Sequence, residues 1–198
     1  MRIRLFGVVL LVVLFVSGCA SYARNVALIY EPVLSVRGGS GDLYIAIPAD
    51  QQLSAGSVKW VLGDVKNDDG NKIDEIYSPL SPAQLLQNAL SQELKRAGYA
   101  VIPTTVRAAA PVKEVFLSRS EVTVDQDESS VGLKATCRIV MTLEVSKGGQ
   151  LLKKVTYETR YSDTNIKDRD LLAKSILQET LQAVMRKAVP ELIATLEQ

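Results

Sequence analysis

Two thiols, Cys19 and Cys137, are the natural starting point for chemistry in this 198-residue chain. A thiol can accept an alkyl or acyl group, bind a soft metal, or attack a carbonyl once a base activates it. The chain has no histidine. That excludes Ser-His-Asp and Cys-His nucleophile pairs and every histidine metal site. Cys137 falls in an apolar series and reads as a core thiol. Carboxylates come next. Asn67-Asp68-Asp69-Gly70 with Asp74 and Glu75 superficially suggests a calcium loop. With Gly70 as the loop glycine, the first and last ligand places fall on Val65 and Ile76, which carry no side-chain oxygen. The segment therefore reads as a hairpin turn. Asp125, Asp127 and Glu128 read as solvated acids at a second hairpin tip rather than as a carboxylate pair in a cleft. Arg37 to Gly41 is glycine-rich but lacks the P-loop lysine and the dinucleotide-binding spacing, so it reads as a flexible loop. No catalytic constellation emerges. The chain is expected to be non-enzymatic, with no cofactor and no metal.

Cys19 has a different context. Met1-Arg2-Ile3-Arg4 is a positive start, and Leu5 to Val16 is an apolar run too short to span a bilayer comfortably. Val16-Ser17-Gly18-Cys19 follows directly and resembles a bacterial lipobox, with Val in place of the commoner Leu. The resemblance implies cleavage before Cys19 and a diacylglyceryl group on its sulfur, followed by N-acylation. Several acyl chains hold a protein on a membrane far better than one. Ala20, rather than Asp, follows the cysteine, which by the same resemblance favours the outer membrane, facing the periplasm. An ordinary secretory signal cut after Ala20 or Ala23 is the alternative. The implied organisation is a signal peptide over 1–18, a lipidated N-terminus and tether over 19–30, and a single domain over 31–198.

Composition agrees with one domain and adds exclusions. The chain is 47% hydrophobic, and 23 basic residues face 22 acidic ones, a formal charge of +1. Loss of Arg2 and Arg4 with the signal makes the mature chain slightly acidic, so nucleic acid is not an expected partner. With Cys19 lipidated, Cys137 has no thiol to pair with, and no intramolecular disulfide can form.

The elements that would position any site are well marked. Leu43 to Ile47, Val58 to Val65 and Lys72 to Tyr77 read as strands. Ser81 and Gln84 form a capping box around Pro82, with Leu80 and Leu85 as a hydrophobic staple. The helix they open carries a stripe of Leu86, Ala89, Leu90, Leu94 and Ala97 and stops at Gly98. Gln87, Gln92, Lys95 and Arg96 are expected to face water. Tyr99 to Ile102 is a strand ended by Pro103. Val112 to Asp125, with a bulge near Ser118-Arg119-Ser120, leads through a Gln126–Ser130 turn to a strand alternating from Val131 to Val145. Leu151 to Ser162 follows, with Tyr157 and Tyr161 on the apolar face and their hydroxyls at its rim. Arg119, Lys134, Arg138 and Lys154 lie on the wet face, alternating with Glu144 and Glu158. They read as a solvated face, or, if clustered, as a contact for anionic lipid or an acidic partner.

The Lys147-Gly148-Gly149-Gln150 turn poses a register problem. A two-residue loop would set Ile139 against Glu158, joining an apolar face to a polar one. A three-residue loop with Gly149 left-handed, or a bulge nearby, restores agreement. The last helix starts near Asp168 or Asp170 and buries Ala173, Leu177, Leu181, Val184, Ala188 and Leu192. Pro190 should kink it or start a separate last turn. Together these predict an α+β two-layer sandwich: a mainly antiparallel sheet, including a long three-strand meander, with two amphipathic helices on one face.

A lipobox, the run Leu86 to Tyr99 (L-x-x-A-L-x-x-E-L-x-x-A-G-Y), strands in series and a C-terminal amphipathic helix together resemble the YajG-type family of bacterial lipoproteins over residues 80–190. That resemblance implies a periplasm-facing outer-membrane lipoprotein with an α+β domain. It supplies no catalytic residues, and its one matching site is Cys19. Auxiliary lipoproteins of lipid-transport ABC systems and the lipopolysaccharide-assembly lipoprotein have a similar strand–helix order. The expected partners are the membrane, through acyl chains on Cys19, and an envelope protein. Lipid or glycolipid binding in an envelope transport system is the alternative.

Overall fold

The computed structural model describes residues 24–51, 59–107, 112–129, 132–165 and 169–198. Eight strands form one sheet: β1 (Arg24–Asn25), β2 (Asp42–Ala46), β3 (Trp60–Lys66), β4 (Lys72–Ser78), β5 (Ala100–Thr104), β6 (Lys113–Ser129), β7 (Gly132–Lys147) and β8 (Gln150–Asn165). Two helices, α1 (Pro82–Ala97) and α2 (Arg169–Leu196), contact each other and share one apolar core with the sheet. The α+β class is as expected, but the sheet is mixed rather than mainly antiparallel. β6–β7, β7–β8 and β3–β4 are antiparallel, whereas β1–β4, β2–β5, β2–β6 and β3–β6 are parallel. Alternation reveals which face of a strand is wet, not which strand lies beside it. The parallel pairs arise because β2, β3, β5 and β6 all run the same way, the chain returning in the same direction after β2 and after β5.

β6 organises the sheet. One edge pairs with β7 along nearly its full length. The other edge is divided. β2 takes Lys113–Phe116 and β3 takes Gln126–Asp127. A register shift between Leu117 and Arg119 places the expected bulge at Ser118. β3 reaches β6 only because residue 63 is glycine: a Cβ there would lie 2.1 Å from the Val124 carbonyl oxygen. β6 and β7 outrun their expected ends, so Gln126 is not in a turn. It pairs with Ala135 and is fully buried.

The β7–β8 connection resolves the register conflict by the second of the two routes. The loop has two residues, Lys147 pairing with Gln150, and both Gly148 and Gly149 are left-handed (φ 62° and 79°), as this tight turn requires. A bulge at Leu152 then shifts the register, so that Ile139 meets Thr159 and Met141 meets Tyr157. One extra residue thus returns Val155 and Tyr157 to the core face, while Leu151 and Leu152 stay exposed.

α1 begins as its sequence specifies. The Ser81 hydroxyl accepts from the Gln84 amide at 3.1 Å, and the Gln84 side chain accepts from the Ser81 amide at 3.0 Å. It ends at left-handed Gly98. Gln87 departs from expectation. It is buried, and its Nε2 donates to the Ile45 carbonyl at 2.7 Å and the Thr104 carbonyl at 3.1 Å, joining the ends of β2 and β5. α2 runs unbroken through Pro190, with no separate last turn. The interior proline costs about 3 kcal/mol. Beyond it Leu192, Ile193 and Leu196 are buried, each worth roughly 1.5–3 kcal/mol, so continuing the helix is favoured.

The Gly63 contact predicts that Gly63→Ala forces β3 away from β6. The expected loss is on the order of 1–3 kcal/mol, read as a lower urea midpoint. An unchanged midpoint would show that this approach is not tight in solution.

Candidate functional site

Residues 26–40 adopt no helix or strand, yet they are a fixed part of the domain. Val26 and Tyr30, within the stretch assigned to the tether, are buried. The segment lies between α1 and α2 as a strap, and helix side chains meet its backbone. The Glu31 carbonyl accepts from Gln178 and Gln182 of α2, both at 3.0 Å. The Pro32 carbonyl accepts from Arg96 of α1 at 2.6 Å. Glu93 of α1, 1% exposed, accepts from the Tyr30 hydroxyl at 2.6 Å and from the Val33 and Leu34 amides at 2.8 and 3.1 Å. A buried carboxylate is tolerated when its lone pairs are filled this way. Burial and the Glu93 carboxylate push the Tyr30 phenol above its ordinary range, so it stays a donor. The α1 sequence signals a helix with a wet face. It does not signal that Glu93 and Arg96 bind a distant irregular segment.

The strap ends at the glycine-rich loop read as flexible. Gly39 donates to the Ala97 carbonyl at 3.0 Å, against the C-terminal end of α1, where the helix dipole disfavours an anion. The loop is therefore packing, not a phosphate cradle. Beside it, Glu197 accepts from Tyr99 at 2.7 Å, from Lys113 at 2.7 Å and from Ser40 at 3.1 Å. These donors, Lys113 foremost, hold its carboxyl down at about 2.

The other candidates also resolve into structure. Cys137 is completely buried on the core face of β7, and burial pushes its thiol up to about 12, the opposite of an activated nucleophile. Asn67 closes the β3–β4 turn, its side chain accepting from the Asp69 and Asn71 amides at 3.1 and 2.9 Å. Lys72 holds Asp64 at 2.8 Å and Glu75 at 2.6 Å, and the lysine lowers the Glu75 pKa. Asp125 accepts from the Asp64 amide at 3.3 Å. Among the described residues, no three His, Cys, Asp or Glu side chains converge as a metal site. Cys19 and Ala20 lie outside the described residues.

The basic residues of the outer sheet face do not form a patch. Arg119 pairs with Glu121 at 2.6 Å, Arg138 with Glu158 at 2.7 Å, and Lys154 with Glu144 at 3.0 Å. Lys134 is exposed. The face is a mosaic of opposite charges, as the alternation suggests. Tyr157 is buried with its hydroxyl donating to Glu191 at 2.6 Å, while Tyr161 is 47% exposed. A small apolar hollow of about 190 Å³ lies beside Leu28, Leu80 and Leu181, below the roughly 300 Å³ at which ligand pockets begin. Two other hollows, by Arg107 and by Thr104, have more polar than apolar walls. No helix among the described residues is long and apolar enough to cross a membrane.

The chain matches no family model and no curated protein sequence. Its fold is similar to the crystal structure of a Xanthomonas campestris protein of the family DUF330, with 14% identity, 86% of this chain and 95% of that chain covered, and a TM-score of 0.51. At that identity the likeness establishes a shared fold with an uncharacterised bacterial protein. A second solved structure, of another uncharacterised protein, covers 83% of this chain and 97% of its own at 15% identity, with a TM-score of 0.42.

Two outcomes follow. Glu93→Ala should cost about 2–4 kcal/mol, because three donors lose a charged acceptor inside the protein, and amide exchange at Val33 and Leu34 should accelerate first. Exchange unchanged at those amides would show that the strap is held elsewhere. Glu197 has a folded pKa of about 2 against an ordinary 4.5. Its stabilisation is complete above 4.5 and disappears as pH falls from there to about 2. Melting curves across that window should fall less steeply for Glu197→Gln than for the natural chain.

Proposed function

We propose that this protein is a YajG-type, non-enzymatic envelope lipoprotein, anchored by acyl chains on Cys19 to the outer membrane and facing the periplasm, which acts by contacting another protein. The observation that carries the choice of contact over carriage is the filled interhelical groove. Tyr30, Leu34 and Val36 of the strap pack against the shared core, filling the groove that an amphiphile lying between the helices would need. The buried, deprotonation-resistant Cys137 supports a non-enzymatic reading. The lipobox Val16–Cys19 supports the anchor. The short reach from Cys19 to the first packed strand fits a membrane-proximal role: five residues span at most about 18 Å, so β1 stays close to the bilayer.

Native mass spectrometry of the protein gently extracted from its own envelope tests the reading, beside a form beginning after Cys19. The expected species carries its own acyl chains and a stoichiometric protein. A phospholipid or glycolipid retained by the form without Cys19 would replace this reading with lipid carriage. Cys19→Ser should remove the acyl mass and release the protein from membranes. Continued firm membrane attachment of Cys19→Ser would contradict the anchor.

A further inference from the structure

β8 is the long open edge of the sheet. It is 16 residues long and, among the described residues, pairs with β7 alone. An edge of this length offers a row of backbone donors and acceptors to another strand. Its side chains indicate which strand. Arg160 sits directly opposite Arg138 in the β7 ladder. Arg138 takes Glu158, and among the described residues Arg160 has no ion pair. Like charges directly across a ladder are unfavourable. On the core side, Tyr161 stands 47% exposed at the same edge.

We infer that β8 pairs antiparallel with β8 of a second copy about a two-fold axis through Thr159, joining two sheets edge to edge. This names the partner for the contact role proposed above and rests on that reading, though not on the anchor. Antiparallel partners must face the same side of the sheet, so odd-numbered core residues must meet odd-numbered ones. That leaves few registers. An axis through Glu158 sets Glu158 against itself, one through Arg160 sets Arg160 against itself, and one through Tyr157 sets Arg160 against Lys154. An axis through Thr156 offers Arg160 no acid and carries it to the Leu152 bulge, whereas Glu158 has a second carboxylate oxygen beside the one that takes Arg138. Centred on Thr159, Glu158 meets Arg160 of the second copy twice over, Thr156 meets Ser162, and Tyr157 meets Tyr161. The lone arginine gains a partner and the exposed tyrosine gains cover. The obstacle is modest. Lys187 of α2 reaches the edge at the Glu158 carbonyl and the Thr159 hydroxyl, at 3.5 and 3.3 Å, both long contacts.

The test is thiol cross-linking of the full chain in its own envelope. Across this axis Thr159 lies opposite itself, close enough for a disulfide, whereas Thr164 meets Lys154. Thr159→Cys should therefore run at twice its mass on a non-reducing gel, and Thr164→Cys should not. Thr159 is buried on its core side but lies on the edge strand, whereas Cys137 lies one strand in on β7, completely buried, and does not compete. Sedimentation of the detergent-extracted chain supplies the second measurement. Arg160→Glu should weaken the dimer about tenfold or more, and Glu158→Arg with Arg160→Glu should restore it. The inference is overturned if Thr159→Cys stays single, if Thr156→Cys cross-links in its place, or if the extracted chain sediments as one copy. One copy bound to a different protein would overturn the pairing while leaving the contact role standing.

Discussion

The sheet depends on the divided edge of β6. A 17-residue strand cannot be covered by the five- and seven-residue strands β2 and β3 individually, so each takes one end, β2 at Lys113–Phe116 and β3 at Gln126–Asp127. The Ser118 bulge lies between them, where β6 has no partner strand on that side among the described residues. Extra twist at a bulge suits a strand whose two halves serve different neighbours. Gly63 is the corresponding concession on β3, since backbone meets backbone there at a distance no Cβ would allow. Both short arms can then share the long β6–β7–β8 ladder while α1 and α2 close a single core beneath them.

The strap solves a different problem. Fifteen residues without regular structure carry backbone polar groups that must find partners if they pack against a core. Here helix side chains take the place of a neighbouring strand. Glu93, Arg96, Gln178 and Gln182 meet four consecutive residues, Glu31 to Leu34. Glu93 contributes most because one carboxylate accepts three donors at once. Unlike a strand, which recruits backbone along its whole edge, this arrangement is specific to one short segment. It explains how an irregular chain can fill an interhelical groove as firmly as a ligand would.

The sequence made local signals legible and left long-range ones hidden. The Ser81–Gln84 box, the Gly98 stop, the Ser118 bulge and the need for a correction near Gly148 could all be read, because each is a conflict or agreement among residues a few positions apart. Parallel pairing could not, because Leu43 alternates identically whether its neighbour is Lys113 or a hairpin partner. Pro190 opens no separate last turn, because the burial of Leu192, Ile193 and Leu196 opposes its local propensity. Gln87 and Glu93 were hidden for the same reason. Their positions on α1 are polar by type, and only the arrival of β2, β5 and the strap gives those polar atoms an interior use. Of the site residues, Cys137 was legible from alternation alone, while Cys19 rests on its motif.

The two sides of the sheet are therefore unequal in what they leave available. On the core side, helices, strap and the Glu197 cluster tie buried polar groups to one another, Glu93 to Tyr30, Gln87 to Ile45 and Glu197 to Tyr99 among them. On the outer side, cross-strand pairs such as Arg138–Glu158 and Lys154–Glu144 neutralise one another, which makes the face soluble but gives it little net field with which to attract a partner. Charge left over on such a face collects where the ladder stops, because a residue on the last strand has a neighbour on one side only. Arg160, set against Arg138 on β8, is that remainder. An edge strand that places Glu158, shared with Arg138, two residues before a base with no ion pair among the described residues carries, in one segment, both halves of a complementary contact.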